Sequence, residues 1–237
     1  MAGTNNPAYG TPNWDMIKQW FAMDPKDDTE FWALNLMQYR KVAAYADGSG
    51  HPERSGKDAD DAYAPLGPLA AVGAIVALHG DVVHQHGGTP NWDRIGIVRY
   101  PSRSAFFAMQ QREDFQDAHV HKEAGMEFTI VMSTLPVSST PSQFADTDRL
   151  VLVVERGGAG RASTPAVDVI ADFDVEGVIV GDERAFDRAW YARVSDDAEL
   201  QLIVDAASGA NEAHIVVIDR AIDNLVDSIV TAPNAKA

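Results

Sequence analysis

Four apolar, aromatic-rich stretches within residues 29–136 alternate with two segments of helical character, and this order limits the fold more than any other feature of the chain. Residues 30–39 (EFWALNLMQY) read as a buried strand. Residues 63–72 are Ala/Leu-rich and suit a helix that Pro65 and Pro68 kink or start. Residues 74–83 form a second strand and 93–100 (DRIGIVRY) a third, with a turn-rich connection at 84–91. Ser102 offers an N-cap, Phe106, Met109 and Gln110 start a helical run, and 114–124 continue in helical style. Residues 126–134 make a fourth strand, closed by Pro136. Residues 47–61, with three glycines, a proline and many charges, read as a loop. The order is β-α-β-β-α-β, the ferredoxin-like split βαβ arrangement.

The second half gives a looser version of the same pattern. Strands are expected at 150–156, 175–180, 186–194 and 214–219. Leu200, Ile203, Val204 and Ala207 fall at i, i+3, i+4 and i+7, so a helix runs to about Ser208 and Gly209 ends it. Ile222, Leu225, Val226 and Ile229 mark a closing helix. Residues 92–99 align without a gap on 186–193, so that Asp93, Arg94 and Arg99 recur as Asp187, Arg188 and Arg193. Gly80-Asp81 is set against Gly181-Asp182. The expected organisation is α+β: an N-terminal extension at 1–28, with a short helix over Trp14, Ile17, Trp20 and Phe21, then two ferredoxin-like repeats at 29–137 and 146–232. The second repeat is degenerate.

Composition removes several function classes. Cysteine is absent, which excludes disulfides, zinc–thiolate sites, iron–sulfur clusters and a Cys nucleophile. The net charge of −16 repels phosphate backbones and anionic lipid, so neither nucleic acid nor a membrane is an expected partner. No stretch approaches the roughly 18 apolar residues of a bilayer-spanning helix, and the N-terminus lacks the basic and apolar regions of a signal peptide. A cytoplasmic location is the expectation. There is no Walker-type, G-x-S-x-G or dinucleotide-binding G-x-G-x-x-G motif.

The segments EFWALNLMQYR, VALHGDVV and NWDRIGIVRYPSRSAFFAMQQREDFQDAHVHKEAGM resemble small proteins of the dimeric α+β barrel superfamily. The shared marks are an LNL first strand, a G-x-V second strand, a V-x-[FY]-P-S third strand and an aromatic–Gln step in the second helix, over about 105 of the 237 residues. The resemblance implies two four-stranded sheets packed into a barrel, within one chain or between chains, and a homodimer or higher homo-oligomer. It also implies a ligand pocket between a sheet and its helices or inside the barrel. The superfamily spans cofactor-free oxygenases, isomerases, dehydratases, haem enzymes and plain binders. Tandem repeats are also similar to the chlorite dismutase and dye-decolourising peroxidase architecture, although no motif of either is present.

Asn35 interrupts an apolar strand, so it is either structural or ligand-directed. Arg99 is either a structural ion-pair member or an anchor for negative charge. Six of seven histidines precede residue 122. His84 and His86 suit a metal if the strand reaches them and a solvated turn otherwise. His119 and His121 are about 200° apart on a helix and cannot both face one pocket. The resemblance favours His121, which falls on a His-Arg step of the group with Lys122 in the Arg place, and then His79. The leading expectation is a cofactor-independent oxygenase, isomerase or dehydratase acting on a small, mostly apolar molecule. His121 or His79 would move a proton, Asn35 would orient the substrate and Arg99 would hold charge, with Tyr39, Met37, Ile97 and Tyr63 in contact with the ligand. The alternatives are a non-catalytic binding or assembly protein and a haem or metal enzyme with a His ligand.

Overall fold

The computed structural model describes residues 7–46 and 50–232. Residues 1–6 of the expected extension and 47–49 of the expected loop lie outside the described residues. The elements run β1 (Thr11–Pro12), α1 (Trp14–Phe21), β2 (Phe31–Tyr39), α2 (Gly56–Tyr63), α3 (Leu66–Ala71), β3 (Ile75–His86), β4 (Arg94–Tyr100), α4 (Arg103–Gln110), α5 (Glu113–Gly125) and β5 (Met126–Ser139) in the first half. The second half adds β6 (Arg149–Arg156), β7 (Asp168–Gly181), β8 (Arg188–Val194), α6 (Asp197–Ala207), β9 (Glu212–Asp223) and α7 (Leu225–Val230).

Eight strands close an antiparallel barrel in the order β7-β5-β2-β4-β3-β9-β6-β8, with β8 returning to β7. The first half contributes β5-β2-β4-β3 and the second β9-β6-β8-β7, joined along β5–β7 and β3–β9. The barrel therefore closes within one chain. Register shifts in β3 and along β5–β7 bend the strands into closure.

β2 and β6 carry long apolar runs, 31–34 and 150–154, because both of their faces are covered there. Inward, Trp32, Leu34, Leu36, Ile95, Ile97, Ile130, Leu152, Phe173 and Tyr191 fill the barrel as a packed core. α7 caps one mouth: Leu225 and Ile229 join that core, and the Trp32 indole N–H donates to Ser228 Oγ at 3.0 Å. At the other, the Trp92 indole N–H donates to His214 Nδ1 at 3.0 Å. Outward, α1, α3, α4 and α5 cover the first half over Trp20, Phe31, Leu69, Tyr100, Phe106 and Phe115, while α6 covers the second over Val151, Val153, Trp190 and Ile203.

Several expected boundaries move. The segment expected as a loop at 47–61 contains the start of α2, which Ser55 caps by accepting from the Asp58 N–H. α3 begins only after Pro65. β3 runs through the expected turn as far as His86. β7 and β9, at 14 and 12 residues, outrun their expected cores. Only a 3-10 turn, Arg161–Ser163, stands between β6 and β7 where the first half has α2 and α3. The ladder also corrects one alignment. Asp81 lies opposite Arg94, and Asp174 lies opposite Arg188, so Asp174 rather than Asp182 occupies the place of Asp81. Among the described residues no helix is long and apolar enough to cross a membrane.

Candidate functional site

A cavity of about 770 Å³ lies between the outer face of the first-half sheet and the helices above it. Its floor follows from strand pairing. Asn35 in β2 pairs with Gly96 in β4, and Gly96 pairs with His79 in β3, so the three form one row on one face. Val131 and Ile222 extend the row on either side. The neighbouring row, Ala33, Val98 and Val76, is apolar, and the row on the other side, Met37, Arg94 and Asp81, is charged. Polarity thus rises in one direction along the floor.

Gly96 makes the space. A Cβ there would lie 3.4 Å from Met37 Cε and 3.9 Å from His79 Cδ2, so anything longer projects into the cavity. In the second half Trp190 occupies the corresponding register, flanked by Val153 and Asp172, and is packed under α6.

The roof comes from α1 to α5 and from the segment ahead of β1. Phe115, His119 and Lys122 follow one another at i, i+4 and i+7 on α5, and all three line the cavity. Tyr9 reaches over them, its hydroxyl 3.2 Å from His119 Nε2. Glu123 lies 3.5 Å from the same nitrogen. Trp14, Phe21 and Leu66 rim the opening and are 44%, 68% and 56% exposed.

One wall is a buried charge cluster. Arg94, 5% exposed, donates to Asp60 at 3.2 Å, Asp61 at 2.7 Å and Asp81 at 2.8 Å, and Lys57 pairs with Asp81. The Tyr39 hydroxyl donates to Asp60 Oδ2 at 2.5 Å. Burial pushes the Tyr39, Tyr9 and Tyr63 phenols well above their ordinary range, so they stay neutral. Burial, with the Arg94 cation nearby, lowers the His79 pKa below its ordinary value, which leaves the imidazole neutral at pH 7.

Of the residues singled out from sequence, the cavity gathers Asn35, Met37, Tyr63 and His79. Tyr39 stands behind the wall and orients Asp60. Three lie elsewhere. Ile97 is in the barrel core, because strand alternation turns it away from the face that carries Gly96 and Asn35. Arg99 shares that inward face and donates to the Ser228 carbonyl at 3.1 Å, at the mouth capped by α7. His121 projects from the far side of α5, where its Nδ1 lies 2.7 Å from the Tyr45 hydroxyl; the helix presents His119 to the cavity instead. His84 and His86 meet edge to face with ring centres 4.4 Å apart, and among the described residues no group of three His, Asp or Glu side chains is placed to hold a metal. Lys122, His119, Tyr9, Arg94 and Gly96 also line the cavity and are not among the site residues expected from sequence. Counting i, i+4, i+7 from Phe115 finds two of them.

No family model matches the chain. Over 111 residues it is 29% identical to the translocated intimin receptor Tir of Escherichia coli, a match covering 46% of this chain and 20% of that protein. The chain therefore spans about a fifth of the length of the curated relatives it matches. Among solved structures, a protein of unknown function from Rhodopseudomonas palustris is 26% identical, covering 53% of this chain and 95% of its own, with a TM-score of 0.46. An anthrone oxidase-like protein is 13% identical, covering 83% and 93%, with a TM-score of 0.45. Chlorite dismutase from Candidatus Nitrospira defluvii is 9% identical, covering 81% and 92%, with a TM-score of 0.44. Similarity at this level carries no activity, substrate or cofactor over to this chain.

Proposed function

We propose that the first-half cavity binds a small, mostly apolar, oxygenated or aromatic molecule, and that the chain acts on it as a cofactor-independent enzyme of oxygenase, isomerase or dehydratase type. The observation that carries this reading is the Asn35–Gly96–His79 row, which sets an amide and a neutral imidazole on either side of a glycine on the floor of a mostly apolar cavity. A neutral imidazole can take a proton from a carbon next to an oxygen-bearing group. The amide can orient that oxygen, and exclusion of water strengthens both interactions.

The same reading treats the two halves as tandem ferredoxin-like repeats, 29–137 and 146–232, behind the extension at 1–28. Its support is a shared strand order and a shared set of hydrogen bonds. Asp93 Oδ2 accepts from the Tyr39 N–H at 2.7 Å, and Asp187 Oδ2 accepts from the Gly157 N–H at 2.7 Å. The Asp93 and Asp187 N–H groups donate to Met37 and Glu155 carbonyls at 2.8 and 2.9 Å. Arg94 and Arg188 each sit buried among carboxylates. On this reading one copy keeps a cavity and the other, with Trp190 in place of Gly96, serves as its barrel partner.

Turnover across a panel of oxygenated aromatic and alicyclic compounds tests the proposal, read as substrate loss by mass spectrometry. His79→Ala and Asn35→Ala are expected to lower turnover about a hundredfold or more with an unchanged circular dichroism spectrum. Saturable binding without turnover would make the chain a binding protein. A Soret band in the purified protein would replace this reading with haem chemistry, for which His79 and His119 are the imidazoles that face the cavity.

A further inference from the structure

Lys122 is the one lysine that lines the cavity among the described residues. Its ammonium stands 5.6 Å from the centre of the Tyr9 ring and 5.5 Å from that of Tyr63. No carboxylate among the described residues lies within ion-pair distance of it. The two nearest acids are committed elsewhere: Glu123 to His119 at 3.5 Å, and Asp60 to Tyr39 at 2.5 Å and Arg94 at 3.2 Å. Aromatic faces attract a cation but supply neither a counter-charge nor an acceptor lone pair. Lys122 is half-buried, and an ammonium partly withdrawn from water without a partner is stabilised by an anion beside it. Desolvation accordingly lowers the Lys122 pKa, while Asp60 and Glu123 act to keep the group charged.

We infer that the cavity takes an organic carboxylate with an apolar body, whose carboxylate pairs with the Lys122 ammonium while the body lies on the apolar row and against Phe115. This rests on the cavity being a ligand site, as proposed above, and adds the class of ligand. The rim of Trp14, Phe21 and Leu66 suits entry of the apolar body. The wall of Arg94 does not compete for the anion, because its guanidinium is already engaged by Asp60, Asp61 and Asp81.

The test is calorimetric titration of the full chain with 2-naphthoate, anthracene-9-carboxylate and dodecanoate, each paired with its neutral carboxamide. In the wild type the carboxylates that bind are expected to do so about tenfold or more tightly than their carboxamides. In Lys122→Met that preference should vanish while carboxamide binding is retained. Equal binding of acid and amide in the wild type overturns the inference and leaves the cavity standing as a ligand site. Persistence of the preference in Lys122→Met does the same. Failure of all six compounds to bind the wild type overturns the ligand-site reading as well. The wild-type comparison decides the matter even if the variant does not fold.

Discussion

At position 96 a glycine separates Met37 from His79, where the other half of the barrel carries Trp190. His79 gives a pH prediction with a definite sign. Its folded pKa lies below the ordinary histidine value, as does that of His214, which is fully buried between Trp92 and Glu212. For both, burial in the neutral form is the leading cause. The unfolded chain therefore binds protons first as the pH falls, so stability from these groups is complete above about 6.5 and declines as the pH drops toward the folded values. Melting temperature should fall between pH 7 and 5.5, and His214→Gln should flatten that fall; a slope unchanged by the substitution would count against it. Arg94 gives a second prediction. Arg94→Ala leaves Asp60 buried without its cation and should cost about 3–5 kcal/mol in chemical denaturation. The role of Arg94 was not legible in its own strand, because its partners come from α2 and β3. The position of Arg99 and Ile97 away from the cavity depends on pairing in the same way. Alternation within β4 separated its two faces, but only the pairing of Asn35 with Gly96 says which face is the cavity's, and register is a property of two strands. Lys122 reads as a solvated lysine in any isolated helix; the covering Tyr9 lies more than a hundred positions away.

At the scale of elements, the cavity depends on α2 lying against α5. The two helices meet at glycines: a Cβ on Gly56 would collide with the Gly125 carbonyl, and one on Gly125 with the Gly56 carbonyl. Gly125→Val should push α2 off α5, displace Asp60 from Arg94 and weaken ligand binding more than it lowers the melting temperature. Equal ligand affinity in this variant, measured by titration, would show that α2 is dispensable to the site. α2 was missed in the sequence because GKDADDAY is short and poor in apolar residues; Ser55 and the small residues at its contact face mark it. The strands were easier to read. β2 and β6 show long apolar runs because they are buried on both faces, and α6 shows a clear 3.6-residue period because one sheet covers it.

At the scale of the whole molecule, closure of the barrel joins the halves into one unit. β5 pairs with β7 and β3 with β9, so cutting the chain between β5 and β6 would expose two long edges on each fragment. The separated halves are expected to associate with each other or aggregate, and the intact chain to unfold in a single transition. An independently soluble, monomeric half would contradict this. Closure within the chain also means that the seams a separate half would offer to a second copy are already filled, so any homo-oligomer must use other surfaces. On the proposal above, the barrel holds its ligand in the first half, in space opened by the glycine at 96. The direct measurement is calorimetric titration of wild type and Gly96→Leu with an apolar carboxylate that the wild type binds. At least about a tenfold loss of affinity is expected in Gly96→Leu, with a melting temperature equal to or above that of the wild type, because the added side chain fills empty space. Unchanged affinity in a folded Gly96→Leu protein would contradict it.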